Sequence, residues 1–190
     1  MVNQGAIWRT ETLSPQTWPL FADLVERHNG VYGGCWCLGF HPETAMPGID
    51  RRATKQQMVD EGRTHAELVL DEDGTCRGWA QWGSVEELSA IKHLRAYLRD
   101  EPERPQWRIT CVFVDKSCRG QGVARVAVEA ALARIGELGG GLVEVISEVT
   151  DGRTAQGRFL FTVTAEGFDS MGFDRVRQVG KHAWIMNRQV

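Results

Sequence analysis

Apolar and polar positions follow two different periods along this chain, and the switches between them mark the elements. Over residues 6–13 the side chains alternate, with Ile7, Arg9 and Glu11 opposite Trp8, Thr10 and Thr12, as a strand with two unlike faces requires. Ser14-Pro15 then signals a helix start, and Leu20, Phe21, Leu24 and Val25 recur at helical spacing up to Asn29-Gly30. Residues 50–62 form a second helix, opened by Asp50 and closed by Gly62. Strands at 65–70 and 75–82 flank Asp71-Glu72-Asp73-Gly74, a hairpin turn with glycine available for positive φ. Ser84 and Glu87 have capping-box spacing and predict a third helix over about 84–99, followed by an acidic, proline-containing surface loop at 100–105.

The second half is more regular. Residues 107–115 hold the consecutive apolar Val112, Phe113 and Val114, which predicts a central strand covered on both faces. A helix over 120–138 turns Val123, Val126, Ala127, Ala130 and Ile135 inward and ends at Gly139-Gly140-Gly141. A strand at 142–149, an exposed loop at 150–157, a short helix at 164–171 and strands at 173–179 and 182–188 complete the chain. Helices interspersed with strands predict a mixed α/β (α+β) layered domain. At 190 residues, one domain spanning 1–190 with the 84–99 helix as an insertion is expected, large enough to bury roughly 70% of its unfolded surface.

Composition narrows the function classes. Hydrophobic residues make up 42% and charged residues 25%, which excludes general disorder. A net charge of −3 without a Lys/Arg cluster gives no basic face for nucleic acid. No run of 18 apolar residues and no charged-then-apolar leader occurs, so a cytoplasmic protein without a membrane partner is expected. The odd number of cysteines, Cys35, Cys37, Cys76, Cys111 and Cys118, argues for free thiols rather than a disulfide framework. Monomer and homodimer both stay open.

Candidate chemistry concentrates in two stretches. At 112–125 an apolar strand runs through Arg119, Gly120, Gln121 and Gly122 into Val123, Ala124 and Arg125. Two glycines let a ligand approach the backbone, and the amides of a helix start face an anion, so this turn is a candidate phosphate site. Gly-x-x-x-x-Gly-Lys-Ser/Thr is absent, and Arg125 stands where a Gly-x-Gly-x-x-Gly pattern needs its third glycine. At 31–47, glycines, aromatics and two thiols crowd together without periodicity. That stretch reads as a pocket wall, as a structural loop, or as a metal site from His28, Cys35, Cys37 and His41. One residue between the cysteines is too few for ordinary zinc spacing, so no metal is expected.

The pattern Arg119-x-x-Gly122-x-Ala124 after a strand ending in Val-x-Val resembles the acetyl-CoA loop of the GNAT superfamily of N-acyltransferases. Met171-Gly172-Phe173 is similar to that superfamily's Gly-Phe ending, and Gly34-Cys35-Trp36-Cys37 with Gly180-Lys181-His182 resembles a bacterial branch of it. The resemblance implies a mixed, mostly antiparallel central sheet flanked by helices, acetyl-CoA or another acyl-CoA as co-substrate, and a small-molecule amine as acceptor. It places the Val112 amide on the acyl carbonyl, Phe113 and Val114 along the pantetheine, and the amides of 120–125 on the pyrophosphate, with Arg119 adding charge. Phe168 stands where many members carry a tyrosine acid, and Arg108 where the histone-acetylating branch carries a glutamate base. Tyr32 is the substitute acid and Glu148, at the open end of its strand, the candidate base; His28, His93, Cys37 and a water relay are rivals. Loss of both usual groups also fits a catalytically weak or inactive CoA-binding module.

Overall fold

The computed structural model describes residues 7–99, 104–152 and 161–190. Residue 6 of the first expected strand, most of the acidic loop and residues 153–157 of the second loop lie outside the described residues. Seven strands form one sheet: β1 (Arg9–Thr12), β2 (His65–Leu70), β3 (Cys76–Ser84), β4 (Trp107–Val114), β5 (Leu142–Glu148), β6 (Asp174–Gln178) and β7 (Ala183–Gln189). Their spatial order is β1-β2-β3-β4-β5-β7-β6. Every neighbouring pair is antiparallel except β4 and β5. The described helices are α1 (Trp18–Arg27), α2 (Arg51–Asp60), α3 (Leu94–Tyr97), α4 (Val123–Glu137) and α5 (Ala165–Asp169). This is the expected mixed, mostly antiparallel sheet flanked by helices.

Alternation along β4 decides what each face of the sheet packs against. Val112 joins Ala80, Trp82 and the buried side of α4 in one core, while Cys111 and Phe113 join Trp79 and α1 in the other. On α4 the buried side chains are Val123, Ala127, Val128, Ala131, Leu132 and Ile135. Val126 and Ala130, expected inward, are half-buried, because the contact stripe follows 3.6 residues per turn through 128, 131 and 132 instead.

Two helix starts differ from expectation. Ser14 and Thr17 do cap each other, Ser14 N donating to Thr17 Oγ1 at 2.8 Å and Thr17 N to Ser14 Oγ at 3.3 Å, but the helix itself begins at Trp18. Residues 84–99 do not form one helix. Ser84 Oγ accepts from Glu87 N at 3.1 Å as a cap would, yet Ser84 ends β3 and helix appears only at Leu94–Tyr97. The reason lies in β4: Arg108 Nη1 donates to Leu88 O at 2.9 Å and to Val85 O at 3.5 Å. Those carbonyls would otherwise accept the i+4 amides that propagate a helix.

Candidate active site

The site begins where β4 and β5 part. They pair only at Trp107–Val143 and Arg108–Glu144. That end is locked by a buried ion pair: Arg108 Nε donates to Glu144 Oε1 at 2.9 Å, Arg108 Nη2 to the Tyr97 hydroxyl at 3.2 Å, and that hydroxyl to Glu144 Oε2 at 3.0 Å. Glu144 is fully buried, and burial holds its carboxyl above the ordinary range despite Arg108 and Tyr97. Arg108 is thus a structural cation, joined to the one acid of β5 that lies directly across from it. Beyond this point the backbone edges diverge, and the notch between them receives residues 161–163. Phe161 O accepts from Val112 N at 2.9 Å, and Val163 O accepts from Ser147 Oγ. The Val112 amide therefore points into the notch, and a carbonyl of this same chain marks the position at which an acyl oxygen was expected.

At the far end of β4 lies the glycine turn. Asp115 caps a single 3-10 turn (Lys116–Cys118), accepting from Ser117 N at 3.0 Å, and the chain then passes Gly120 at φ +76° and Gly122 at φ +84°. A Cβ at either glycine would meet nothing within 4 Å, so the space over the turn is open. Left-handed backbone is what confines these positions to glycine. Val126 N donates to Gly122 O at 3.1 Å, closing the first turn of α4 and leaving the amides before it without an intrahelical partner. Such a turn fits a pyrophosphate: donors, a helix N-terminus of 15 residues and room for the anion coincide.

The other residues expected in this turn divide by side chain and backbone. Val123, the first residue of α4, is buried against the sheet, and Ala124 is half-buried. Arg125 sends its guanidinium to Ser170, 3.1 Å to the carbonyl and 2.7 Å to Oγ, which turns its side chain to α5 and leaves only its amide at the turn. Gln121 is engaged through its carbonyl, which accepts from Trp8 Nε1 at 3.2 Å. Arg119 is exposed, and its charge acts on Tyr32. Along β4, Phe113 turns away from the notch to stack on Trp79 at 4.8 Å, and Val114 faces the α4 core, so their backbone alone can line a cofactor.

A cavity of about 520 Å³ opens beside the notch. Its walls come from the aperiodic segment (Tyr32, Cys35, Cys37, Gly39, Phe40), from residues 90–92 and Leu94, and from Cys111 and Phe161. That segment is held open by left-handed backbone at Val31, Tyr32, Trp36 and Cys37, where non-glycine residues cost roughly 1–2 kcal/mol each. Three anchors hold the conformation. Cys37 O accepts from the fully buried Lys55 Nζ at 3.4 Å, Cys37 Sγ accepts from Trp79 Nε1 at 3.3 Å, and Trp36 stacks on Trp18 at 6.0 Å. Lys55 also donates to Thr64 Oγ1 at 2.6 Å and Gln81 Oε1 at 3.3 Å. The segment is thus both structural loop and pocket wall. Among the described residues no three His, Cys, Asp or Glu side chains gather as metal ligands would.

Of the two expected catalytic side chains, Tyr32 lines the cavity with part of its surface open to solvent, and desolvation on its inner side raises its phenol above the ordinary value, so it stays protonated. Glu148 ends β5 outside the cavity lining, but its charge acts on Lys92, which does line it. Phe168 is completely buried against Phe173 at 5.0 Å, a core residue and no acid. Lys92 and Phe161 were not singled out from the sequence: one belongs to the segment expected as an inserted helix beside the acceptor, the other to a stretch with no periodic signal.

A family model described as the acetyltransferase (GNAT) family matches residues 26–160. No curated protein matches the chain. Among solved structures, a GCN5-related N-acetyltransferase from Kribbella flavida is 15% identical, with 96% of this chain and 98% of that one covered and a TM-score of 0.56. A GNAT-family acetyltransferase from Listeria monocytogenes is 11% identical over 100% and 99% of the two chains, at a TM-score of 0.53. A Corynebacterium glutamicum protein described as histone acetyltransferase HPA2 and related acetyltransferase is 17% identical over 95% and 94%, at 0.54. Identities this low show the fold. The family model spans well over half of the residues and includes the parting strands, the glycine turn and α4, and on that ground the chain belongs to the acetyltransferase (GNAT) family.

Proposed function

We propose that the protein is a CoA-dependent N-acyltransferase that moves an acetyl group from acetyl-CoA to the amine of a small molecule by direct attack in a ternary complex. The observation that carries this reading is the open glycine turn at the start of α4, directly continuous with the β4 edge whose Val112 amide faces the notch. The amides of 122–125 would hold the pyrophosphate, and the backbone edge of β4 from Val112 to Val114 the pantetheine. Bound there, acetyl-CoA supplies an activated thioester.

The chain's own groups then divide the work. The Val112 amide, once Phe161 O leaves it, donates to the acyl oxygen as charge develops there. Glu148 accepts a proton from the incoming ammonium, and the Tyr32 phenol, which stays neutral, donates to the leaving sulfur. No covalent acyl-enzyme is required. The competing reading, a CoA-binding module without turnover, draws on the burial of Phe168 and the ion-paired state of Arg108, which remove both usual catalytic positions. Release of CoA across an amine panel, read by mass spectrometry beside CoA affinity, separates the two. Turnover falling roughly 100-fold in Glu148→Gln and in Tyr32→Phe, with CoA affinity kept, is the expected result. Tight CoA binding without turnover of any amine would favour the module.

A further inference from the structure

The cavity beside the notch carries information about the acceptor. Its wall is mainly hydrocarbon and aromatic, with Phe40, Ile91, Leu94 and Phe161 among its residues, and its one formal charge among the described lining residues is the Lys92 ammonium. Lys92 Nζ stands 4.0 Å from the centroid of the Phe161 ring. The carbonyl of that same Phe161 sits on the Val112 amide, so a single residue links the cation to the point where an acyl oxygen would be held. Partial desolvation lowers the affinity of Lys92 for its proton while Glu148, at the end of β5, raises it, so a carboxylate acts on the ammonium from outside the lining.

Charge complementarity then sorts the acceptors. A polyamine or other polycation would bring a further ammonium against Lys92 in a pocket whose described lining has no carboxylate. A purely apolar amine would cover Lys92 and bring no charge of its own to offset the lost solvation. A zwitterion offers an opposite charge to Lys92 and to Glu148 at once. We infer that the acceptor is an α-amino acid with an apolar or aromatic side chain: the side chain fills the cavity, the carboxylate meets Lys92, and the α-ammonium is turned toward Glu148 and the thioester. This rests on the acyl-transfer reading above. In the transfer, the nitrogen forms the new C–N bond as the C–S bond breaks. Of the two protons the ammonium gives up, one passes through Glu148 to solvent and the other balances the CoA thiol, delivered by way of Tyr32.

The test compares acetylation of L-phenylalanine and L-leucine with 2-phenylethylamine, which lacks only the carboxylate of phenylalanine, and with spermidine. Wild type and Lys92→Met are both assayed. A kcat/KM about tenfold or more in favour of the amino acids is expected, collapsing in Lys92→Met through KM rather than kcat. Equal rates with and without the carboxylate, a preference that survives Lys92→Met, or a preference for spermidine would overturn the inference while leaving acyl transfer standing. Calorimetry decides the matter without turnover. N-acetyl-L-phenylalanine should bind the CoA-saturated wild type about tenfold more tightly than N-acetyl-2-phenylethylamine, and equal affinities would overturn the assignment. Absence of turnover with every amine would count against the acyl-transfer reading alone.

Discussion

Gly122 and Gly62 form a natural pair for separating backbone strain from ligand binding. Both have left-handed φ, +84° and +65°, and at both a Cβ would meet nothing within 4 Å. An alanine at either position therefore brings no clash, only the left-handed penalty of roughly 1–2 kcal/mol. For a chain of this size that corresponds to a fall in Tm of roughly 2–8 °C. Gly62 closes α2, whereas Gly122 opens α4 at the turn assigned to pyrophosphate. Thermal unfolding should accordingly show similar losses for Gly62→Ala and Gly122→Ala. Titration with CoA, followed by calorimetry, should find wild-type affinity in Gly62→Ala and at least a tenfold loss in Gly122→Val, about 1.4 kcal/mol or more, because the branched side chain fills the space an anion needs. If Gly122→Val unfolded no more readily than Gly62→Ala and bound CoA as tightly as wild type, the pyrophosphate assignment of the turn would be refuted.

Removing Arg108 leaves Glu144 buried without its cation, so Arg108→Met should cost about 3–5 kcal/mol, and less at pH 5 than at pH 8. The sign follows from Glu144, whose folded pKa is already raised and rises further without Arg108; stability is then lost as pH climbs through that value. Chemical denaturation at the two pH values tests this, and a loss below about 1 kcal/mol at both would mean the network carries little. Asp115 behaves in the opposite sense. Burial alone would raise its pKa, but the Ser117 amide, Arg27 and His28 outweigh it and hold the carboxylate well below its ordinary value. Its contribution is present above about pH 4 and fades as pH falls through the folded pKa. Asp115→Asn should therefore flatten the acid limb of the stability curve by at most about 1.4 kcal/mol per pH unit, and an unchanged slope would exclude the role.

Much of the architecture was legible because it depends on local physics. The Val112–Val114 run, the Asp71–Gly74 turn, the Asp50 cap and the glycines around α4 each act through near neighbours, and the structure places each in the element those neighbours predict. The glycine turn is the part of the site that a short motif can encode, since it needs only left-handed backbone and a helix start in succession. What failed was decided at long range. Ser84 and Glu87 have the local chemistry of a helix cap, but Arg108 takes the carbonyls that a helix would have used, and no property of residues 84–99 announces that. Likewise the parting of β4 from β5, the insertion of the Phe161 carbonyl against the Val112 amide, and the meeting of Tyr32, Lys92 and Phe161 around one cavity join residues far apart in the chain. Sequence alone determined the strands, most of the helices and the glycine turn, where each signal is carried by neighbours within one helical turn or one hairpin. Only the tertiary structure decided the cavity beside the notch, because a pocket is a coincidence of distant side chains, and its charge and shape exist only once the chain has closed around it.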